Sequence, residues 1–250
     1  MGWLDRYLCP LAALAEHTLT TTLDTNTVNA SAFAAFVAGV VPLLNANVAD
    51  ADADRHRQEG RDDAGRKTQL TRDQCIRADC SIEGLAALPP AFNPDGGSVT
   101  AGNSSPINVG AAAMLMMSES RAEELGLQPI ARIRAMAVAG VDPTEMGIGP
   151  IPAVESLLAK TGLSVGDFDV IESNEAFAAQ ALAVNEGLGL DPGRVNPNGG
   201  AIALGHPVGA TGAILTVKAL SELDRTGGAK ALITMCIGGG QGIAIAIERM

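Results

Sequence analysis

The sequence predicts an α/β protein: a mixed β-sheet covered by helices and preceded by an irregular loop region. Three observations carry this. After residue 70, apolar runs of strand length alternate with stretches of helical period. The last two runs, residues 231–236 and 243–248, are small or β-branched on both alternating faces, as doubly covered strands require, and a glycine-rich turn joins them into a hairpin. Apolar residues make up 47% of the 250-residue chain and charged ones 18%, enough for a sizeable core and too apolar for a wholly disordered chain. Aromatics are 3%, so that core is aliphatic.

The elements follow in order. Residues 1–70 lack clean periodicity, and their acidic run from Asp50 reads as a solvated loop. Residues 82–88 form a short helix stopped by Pro89 and Pro90, and residues 98–103 a strand. Residues 110–125 form an Ala- and Met-rich helix closed by Gly126, and residues 130–139 a strand. Pro150 and Pro152 open a helix with Val154, Leu157 and Leu158 on its apolar face, ending at Gly162. Residues 169–173 make a short buried strand, followed by a helix from about Ala176. Pro207 takes the first position of another helix, with Ala213, Val217 and Leu220 on one face and Gly227 at its end.

Composition narrows the function. With 17 basic and 28 acidic residues the net charge is −11, which argues against nucleic acid or an anionic membrane as partner. The uncharged residues 25–49 contain Pro42, Asn26, Asn29, Asn45 and Asn47, costly in lipid, and read as a buried or irregular segment. No secretory signal is legible, since Asp5 and Arg6 interrupt the start. Four scattered cysteines fit a reducing compartment, and the expected location is the cytoplasm. A calcium loop starting at Asp50 fails because Arg55 and Arg61 occupy its glycine and glutamate positions. Cys75 and Cys80 make no zinc half-site, so no metal is expected.

Three segments carry chemistry: Ser173-Asn174-Glu175-Ala176-Phe177, Asn198 through Gly205-His206-Pro207, and Met235-Cys236-Ile237-Gly238-Gly239-Gly240. Each sits at an element boundary where backbone N–H groups are free. A His, a Cys and an Asn on three loops suggest acyl transfer. The thiol can act as nucleophile or proton carrier, the imidazole can hold a proton or donate to an oxyanion, and glycines beside a Cys let N–H groups approach one. Taken singly, each has a bland reading: an inert buried thiol, a capping His, a simple turn. The glycine loop precedes a strand rather than a helix, which disfavours a dinucleotide site.

Together the three segments resemble the C-terminal signatures of the thiolase family. The match runs through Asn196-Pro197-Asn198-Gly199-Gly200-Ala201 to Gly205-His206-Pro207-Val208-Gly209-Ala210-Thr211-Gly212. Thr100-Ala101-Gly102-Asn103-Ser104-Ser105, Ala139-Gly140-Val141-Asp142-Pro143 and Met146-Gly147-Ile148-Gly149-Pro150 resemble family segments too. The resemblance covers roughly residues 73–250. It divides the chain into an irregular segment (1–72), the rest of a loop region with the first helix of the C-terminal half (73–126), and a C-terminal thiolase domain (127–250).

The resemblance implies an acyltransferase that cleaves 3-ketoacyl-CoA with coenzyme A to acetyl-CoA and a shortened acyl-CoA, or runs the reverse condensation. Coenzyme A is then a substrate, and no cofactor is bound permanently. Asn174 holds a water that forms one oxyanion hole with His206, and His206 also helps activate the attacking thiol. Cys236 is the acid/base at the acetyl carbon. Gly238 lends its N–H to a second oxyanion hole, and Ser105 contacts the pantetheine arm. Asp73-Gln74-Cys75-Ile76-Arg77 and the Thr100 segment lean towards the fatty-acid-oxidation type.

The sequence departs from the family in two places. Val109 stands where the family has Asp. The family's nucleophilic Cys, in a segment reading Cys-x-Ser-Gly or Cys-Gly-Ser-Gly, is not found: Cys9 is followed by Pro10, and Cys75 and Cys80 lie where no catalytic thiol is expected. The first structural repeat, which carries that nucleophile, is expected to be missing, leaving apolar surface open. The expected partners are therefore acyl-CoA and CoA, with either self-association or an N-terminal half in trans. The alternative is a catalytically incomplete fragment or an interaction module. A ketoacyl synthase is disfavoured, since that branch has His at the position of Cys236.

Overall fold

The computed structural model describes residues 58–61, 66–70, 79–108 and 110–250, and divides into two compact units, Met1–Cys80 and Ser81–Met250. In the first unit, β1 (Gln58–Arg61) pairs antiparallel with β2 (Lys67–Leu70). Neither run alternates apolar and polar residues, so side-chain periodicity gave no signal for this backbone ladder, and the expectation of an irregular segment here is corrected. The uncharged segment 25–49, the acidic run from Asp50 to Arg57, Cys9, Cys75 and Val109 lie outside the described residues.

The second unit opens with α1 (Ile82–Ala86), capped by the Ser81 hydroxyl, which accepts from the Gly84 N–H. Residues 98–103 are not the expected strand. Thr100 makes one isolated bridge to Pro90, and Ala101–Asn103 turn into a 3-10 segment. Thr100 and Asn103 cause this, because their side chains bond each other's neighbourhood in a reciprocal capping box and draw the backbone out of any ladder. The expected helix over 110–125 shrinks to α2 (Glu119–Glu124), started by Ser118 as N-cap. Leu115 and Met116 upstream are exposed. A helix gains most of its stability from burying an apolar face, and this stretch has none to bury against.

A four-stranded sheet organises the rest, in the order β3-β6-β5-β4. It consists of β3 (Ala131–Gly140), β4 (Val170–Ser173), β5 (Lys230–Ile237) and β6 (Gln241–Arg249). β4 runs parallel to β5, and the other pairs are antiparallel. On one face α3 (Pro150–Thr161) buries Ala153, Val154 and Leu157 against Ala137, Ile171, Leu232, Ala244 and Ala246. Gly162 ends it in the left-handed conformation, with Leu158 packed at the margin. On the other face α6 (Thr211–Thr226) lays Leu215, Ala219 and Leu223 over Val170, Ala231, Ile233 and Ile247.

Two expectations for α6 change. Pro207 precedes the helix by a full turn, its carbonyl accepting from the N–H groups of Ala210 and Thr211. The buried face is Thr211, Leu215, Ala219, Glu222 and Leu223, while Val217 is exposed. That face carries two polar residues, Thr211 and Glu222, so hydrophobicity alone pointed elsewhere.

α6 does not reach β3. A register shift between Ile133 and Ala135 keeps Ile133, Met136 and Val138 on one face, opposite Ile247, Ile245 and Ile243. Ile133, Met136 and Val138 are exposed, so this half of the sheet is an open apolar face, as the sequence led us to expect. Among the described residues no helix is long and apolar enough to cross a membrane.

Candidate active site

The parallel pair β4–β5 sends its two C-terminal ends to the same edge of the sheet, where sites assemble in α/β folds. Asn174 follows β4 directly, and its N–H donates to the Thr234 carbonyl (3.0 Å), two residues before Cys236. α4 (Ala178–Leu188) begins only after Phe177, because Phe177 is extended and bridges to Ser104.

Ser105 and Pro106 join the remaining segments. The Ser105 N–H and hydroxyl both donate to the Ala176 carbonyl (3.0 and 3.1 Å). The next carbonyl, of Pro106, accepts from the His206 N–H (3.0 Å). A Cβ on Gly205 would lie 2.2 Å from the Asn108 amide, so the 105–108 strand of chain wraps directly over the glycine before His206. Hydrogen bonds thus tie the Ser105 segment to the Asn174 segment at Ala176 and to the His206 loop at Pro106, while Asn174 itself is tied to β5 two residues before Cys236. Gly238 opens the hairpin turn, whose Gly239 and Gly240 both take φ of +84°.

Burial decides the electrostatics. Asn174 is 1% exposed, yet neither of its amide atoms has a protein partner. A buried amide atom left unpaired costs about 1–3 kcal/mol, so packing alone does not account for this residue. Burial pushes the Cys236 thiol up, which keeps it protonated as an acid. Burial also holds the His206 imidazole below its ordinary value, which keeps it neutral near pH 7.

The Thr211 hydroxyl donates to the Pro207 carbonyl (3.0 Å) and lies 2.7 Å from His206 Nδ1. With the hydroxyl proton on that carbonyl, its oxygen accepts from Nδ1–H, the arrangement that leaves Nε2 bare. Sequence reasoning missed Thr211, although it lies inside the quoted motif string at one helical turn from His206.

Asn196 was also passed over. It sits at φ +45° and exchanges two bonds with Ser173: the Ser173 N–H donates to its Oδ1 (2.9 Å) and its Nδ2 donates to the Ser173 carbonyl (2.8 Å). Glu175 accepts from Asn196 Nδ2 on one oxygen (3.0 Å) and from the Ile202 N–H on the other (3.2 Å). It thereby holds the start of α5 (Ala201–Leu204), the short helix that delivers Gly205 and His206. Beside these segments, Thr144, Glu145, Met146, Gly147, Ile148, Phe177 and Gln180 line a groove of about 320 Å³. Among the described residues no group of three His, Cys, Asp or Glu side chains is placed to hold a metal ion.

A mixed sheet with helices on both faces and a Cys, a His and an Asn at one edge defines the class. Comparison with known proteins makes the family specific. The family description "Thiolase, C-terminal domain" matches residues 127–249, and "Thiolase, N-terminal domain" matches residues 26–120, beginning upstream of the motifs quoted above. The chain is 56% identical over 188 residues to the beta-ketothiolase BktB of Cupriavidus necator, covering 74% of this chain and 48% of that protein. The crystal structure of the Bacillus anthracis acetyl-CoA acetyltransferase superposes with TM-score 0.68 at 51% identity, covering 74% of this chain and 47% of that one. Human mitochondrial 3-ketoacyl-CoA thiolase in complex with CoA gives TM-score 0.63 at 44% identity, covering 75% and 47%. This chain belongs to the thiolase family. It spans about half the length of the curated relatives it matches.

Proposed function

We propose that the site serves thiolase-type acyl transfer: cleavage of a 3-ketoacyl-CoA by coenzyme A to acetyl-CoA and a shortened acyl-CoA, or the reverse condensation. The observation that carries this reading is the junction at Ser105–Pro106, which ties the Asn174 segment to the His206 loop beside Cys236. In the cleavage direction a thiol adds to the 3-keto carbonyl carbon, and breaking the bond between that carbon and C2 leaves the shortened acyl thioester and the enolate of acetyl-CoA. The Cys236 S–H protonates its carbon. His206 takes the proton of the attacking thiol on Nε2 and then donates Nε2–H to the enolate oxygen, alongside a water held by Asn174. Fixed donors in a water-poor site each contribute a few kcal/mol to such a step.

Gly238 supplies a backbone N–H to the second oxyanion, and Ser105 meets the pantetheine arm of coenzyme A. The groove walled by Met146, Ile148 and Phe177 takes the acyl chain. A place in fatty-acid oxidation, in the cytoplasm, completes the reading. Its support is the likeness to a 3-ketoacyl-CoA thiolase and the two free cysteines, Cys80 and Cys236, among the described residues. The open apolar face at Ile133, Met136 and Val138 supports assembly, either of two copies or with an N-terminal half in trans.

The test is thiolysis of acetoacetyl-CoA and of a longer 3-ketoacyl-CoA by the purified chain, beside His206→Ala and Cys236→Ala. Loss of turnover in both variants supports the reading, and turnover indifferent to both refutes it. A second reading, a catalytically incomplete fragment, is favoured by the cysteines: Cys80 is exposed, and neither Cys9, Cys75 nor Cys80 is followed by the Ser-Gly context of an acylated thiol. A folded chain without turnover, which forms no acyl-enzyme, supports that second reading.

A further inference from the structure

The backbone that delivers His206 has little stiffness of its own. From Asn196 to Gly205 it passes through φ of +45° at Asn196, +86° at Gly199 and +101° at Gly205. Glycine-rich backbone loses more entropy on ordering than any other, so side chains must hold this path in place. Asn196 is held by Ser173 and Glu175, and Asn198 donates to Glu222 Oε2 on α6 (2.8 Å). At Gly199 the hold comes from a cation. Lys218 Nζ, on α6, donates to the Gly199 carbonyl (2.6 Å) and to Glu172 Oε2 on β4 (2.7 Å).

Glu172 is the unexpected member. Its side chain is fully buried in β4, two residues before Asn174, and its Oε1 has no partner. Desolvation pushes this carboxyl up, against the pull of the Lys218 ammonium. A buried ion pair of this kind adds little stability over an apolar pair of the same size, so stability does not explain it. Its geometry does: one ammonium joins the strand that leads into Asn174, the loop that leads to His206, and the helix whose first residue, Thr211, meets His206 Nδ1.

We propose that Lys218 is a positioning residue of this site, fixing the His206 loop against the end of β4 by bridging Glu172 and the Gly199 carbonyl. This rests on the assignment of His206 to the site, but its test needs no turnover. The full chain contains three histidines, His17, His56 and His206. Side-chain 15N resonances of His206, assigned with His206→Gln, report the tautomer directly. The parent shows Nδ1 protonated and Nε2 bare.

In Lys218→Met that pattern is lost and the two nitrogens move towards an averaged pair. Glu172→Gln/Lys218→Met removes both charges and the uncompensated carboxylate together. It is expected to fold, by circular dichroism, and still to lose the His206 pattern, because the tie to Gly199 remains absent. Lys218→Arg, which keeps a cationic donor, restores it at least in part. A double variant with the parental His206 pattern overturns the proposal, since Lys218 then only neutralises Glu172. A double variant that does not fold also overturns it, since the pair then holds the sheet rather than the loop. If the chain shows no thiolysis but Lys218→Met and the double variant lose the pattern, the functional reading fails and the positioning role stands.

Discussion

Gly242→Ala tests how the thiol of Cys236 is held in place. Gly242 lies directly across the hairpin from Cys236. A Cβ added to it would lie 2.0 Å from the Gly149 carbonyl oxygen, 2.1 Å from the Gly149 carbonyl carbon and 2.6 Å from the Pro150 nitrogen. Ordinary non-bonded contact is about 3.5 Å, so the backbone must separate by roughly 1.5 Å. All three atoms are main chain at the start of α3, and no rotamer change relieves them. The same crossing is tight from the other side, where a Cβ on Gly149 would meet the Gln241 carbonyl oxygen at 2.5 Å. Overpacking of a core costs about 1–3 kcal/mol and sometimes more; with two backbones in collision we expect about 3 kcal/mol or above. Urea unfolding followed by circular dichroism measures it. The control is Gly209→Ala, where a Cβ meets nothing within 4 Å and φ is ordinary; its effect should stay within about 0.5 kcal/mol. Pushing Gly242 away from the start of α3 also disturbs its pairing with Cys236, so labelling of Cys236 by a thiol reagent should quicken. A Gly242→Ala chain as stable as Gly209→Ala, with Cys236 labelled no faster, would refute the reasoning.

Asn196→Ala removes the bonds to both backbone groups of Ser173 and one to Glu175, and asks Ala to adopt φ of +45°. The expected loss is about 3 kcal/mol in urea unfolding, and Asn196→Gly should recover the conformational part but not the bonds. Glu222 is held down to about 2 by the Arg225 guanidinium and the Asn198 amide, against an ordinary 4.5. A lowered carboxyl contributes stability that is fully present above 4.5 and is lost as pH falls towards 2, so Glu222→Gln should flatten that acid arm of the stability profile. If the chain turns over, its pH profile is bell-shaped. The acid limb reflects a His206 held below 6.5 by burial, and the alkaline limb a Cys236 thiol pushed above 9.0 by burial. An alkaline limb that persists unchanged in Cys236→Ser would remove Cys236 from the acid/base role.

What was legible in the sequence is what depends on local pattern. α3 announced itself through Pro150, the Val154 and Leu157 stripe and Gly162, and β5 and β6 through runs apolar on both faces. What failed needed tertiary information. Residues 110–118 carry helix-forming Ala and Met, but Leu115 and Met116 stay exposed, and propensity without a packing surface does not hold a helix. Residues 98–103 fell to a capping box between Thr100 and Asn103, a side-chain event that strand periodicity does not register.

The candidate site divides along the same line. Asn174, His206 and Cys236 are proposed because their motif strings are long, but a string says nothing about what holds each residue. Thr211 looked like one more small residue of the motif until the fold set its hydroxyl 2.7 Å from Nδ1 of His206. Glu172 and Lys218 were invisible for a physical reason. A carboxylate in a strand and an ammonium on a helix, 46 residues apart, read as two solvated charges until the fold sets them 2.7 Å from each other. Glu172 Oε1, the Ser173 hydroxyl and the amide of Asn174 are all buried and unpaired, in three consecutive residues at the end of one strand. Polar groups buried at that density destabilise a strand end that apolar residues would hold better. Their presence there supports, independently of any motif, the β4 terminus as the place of the chemistry proposed for this chain.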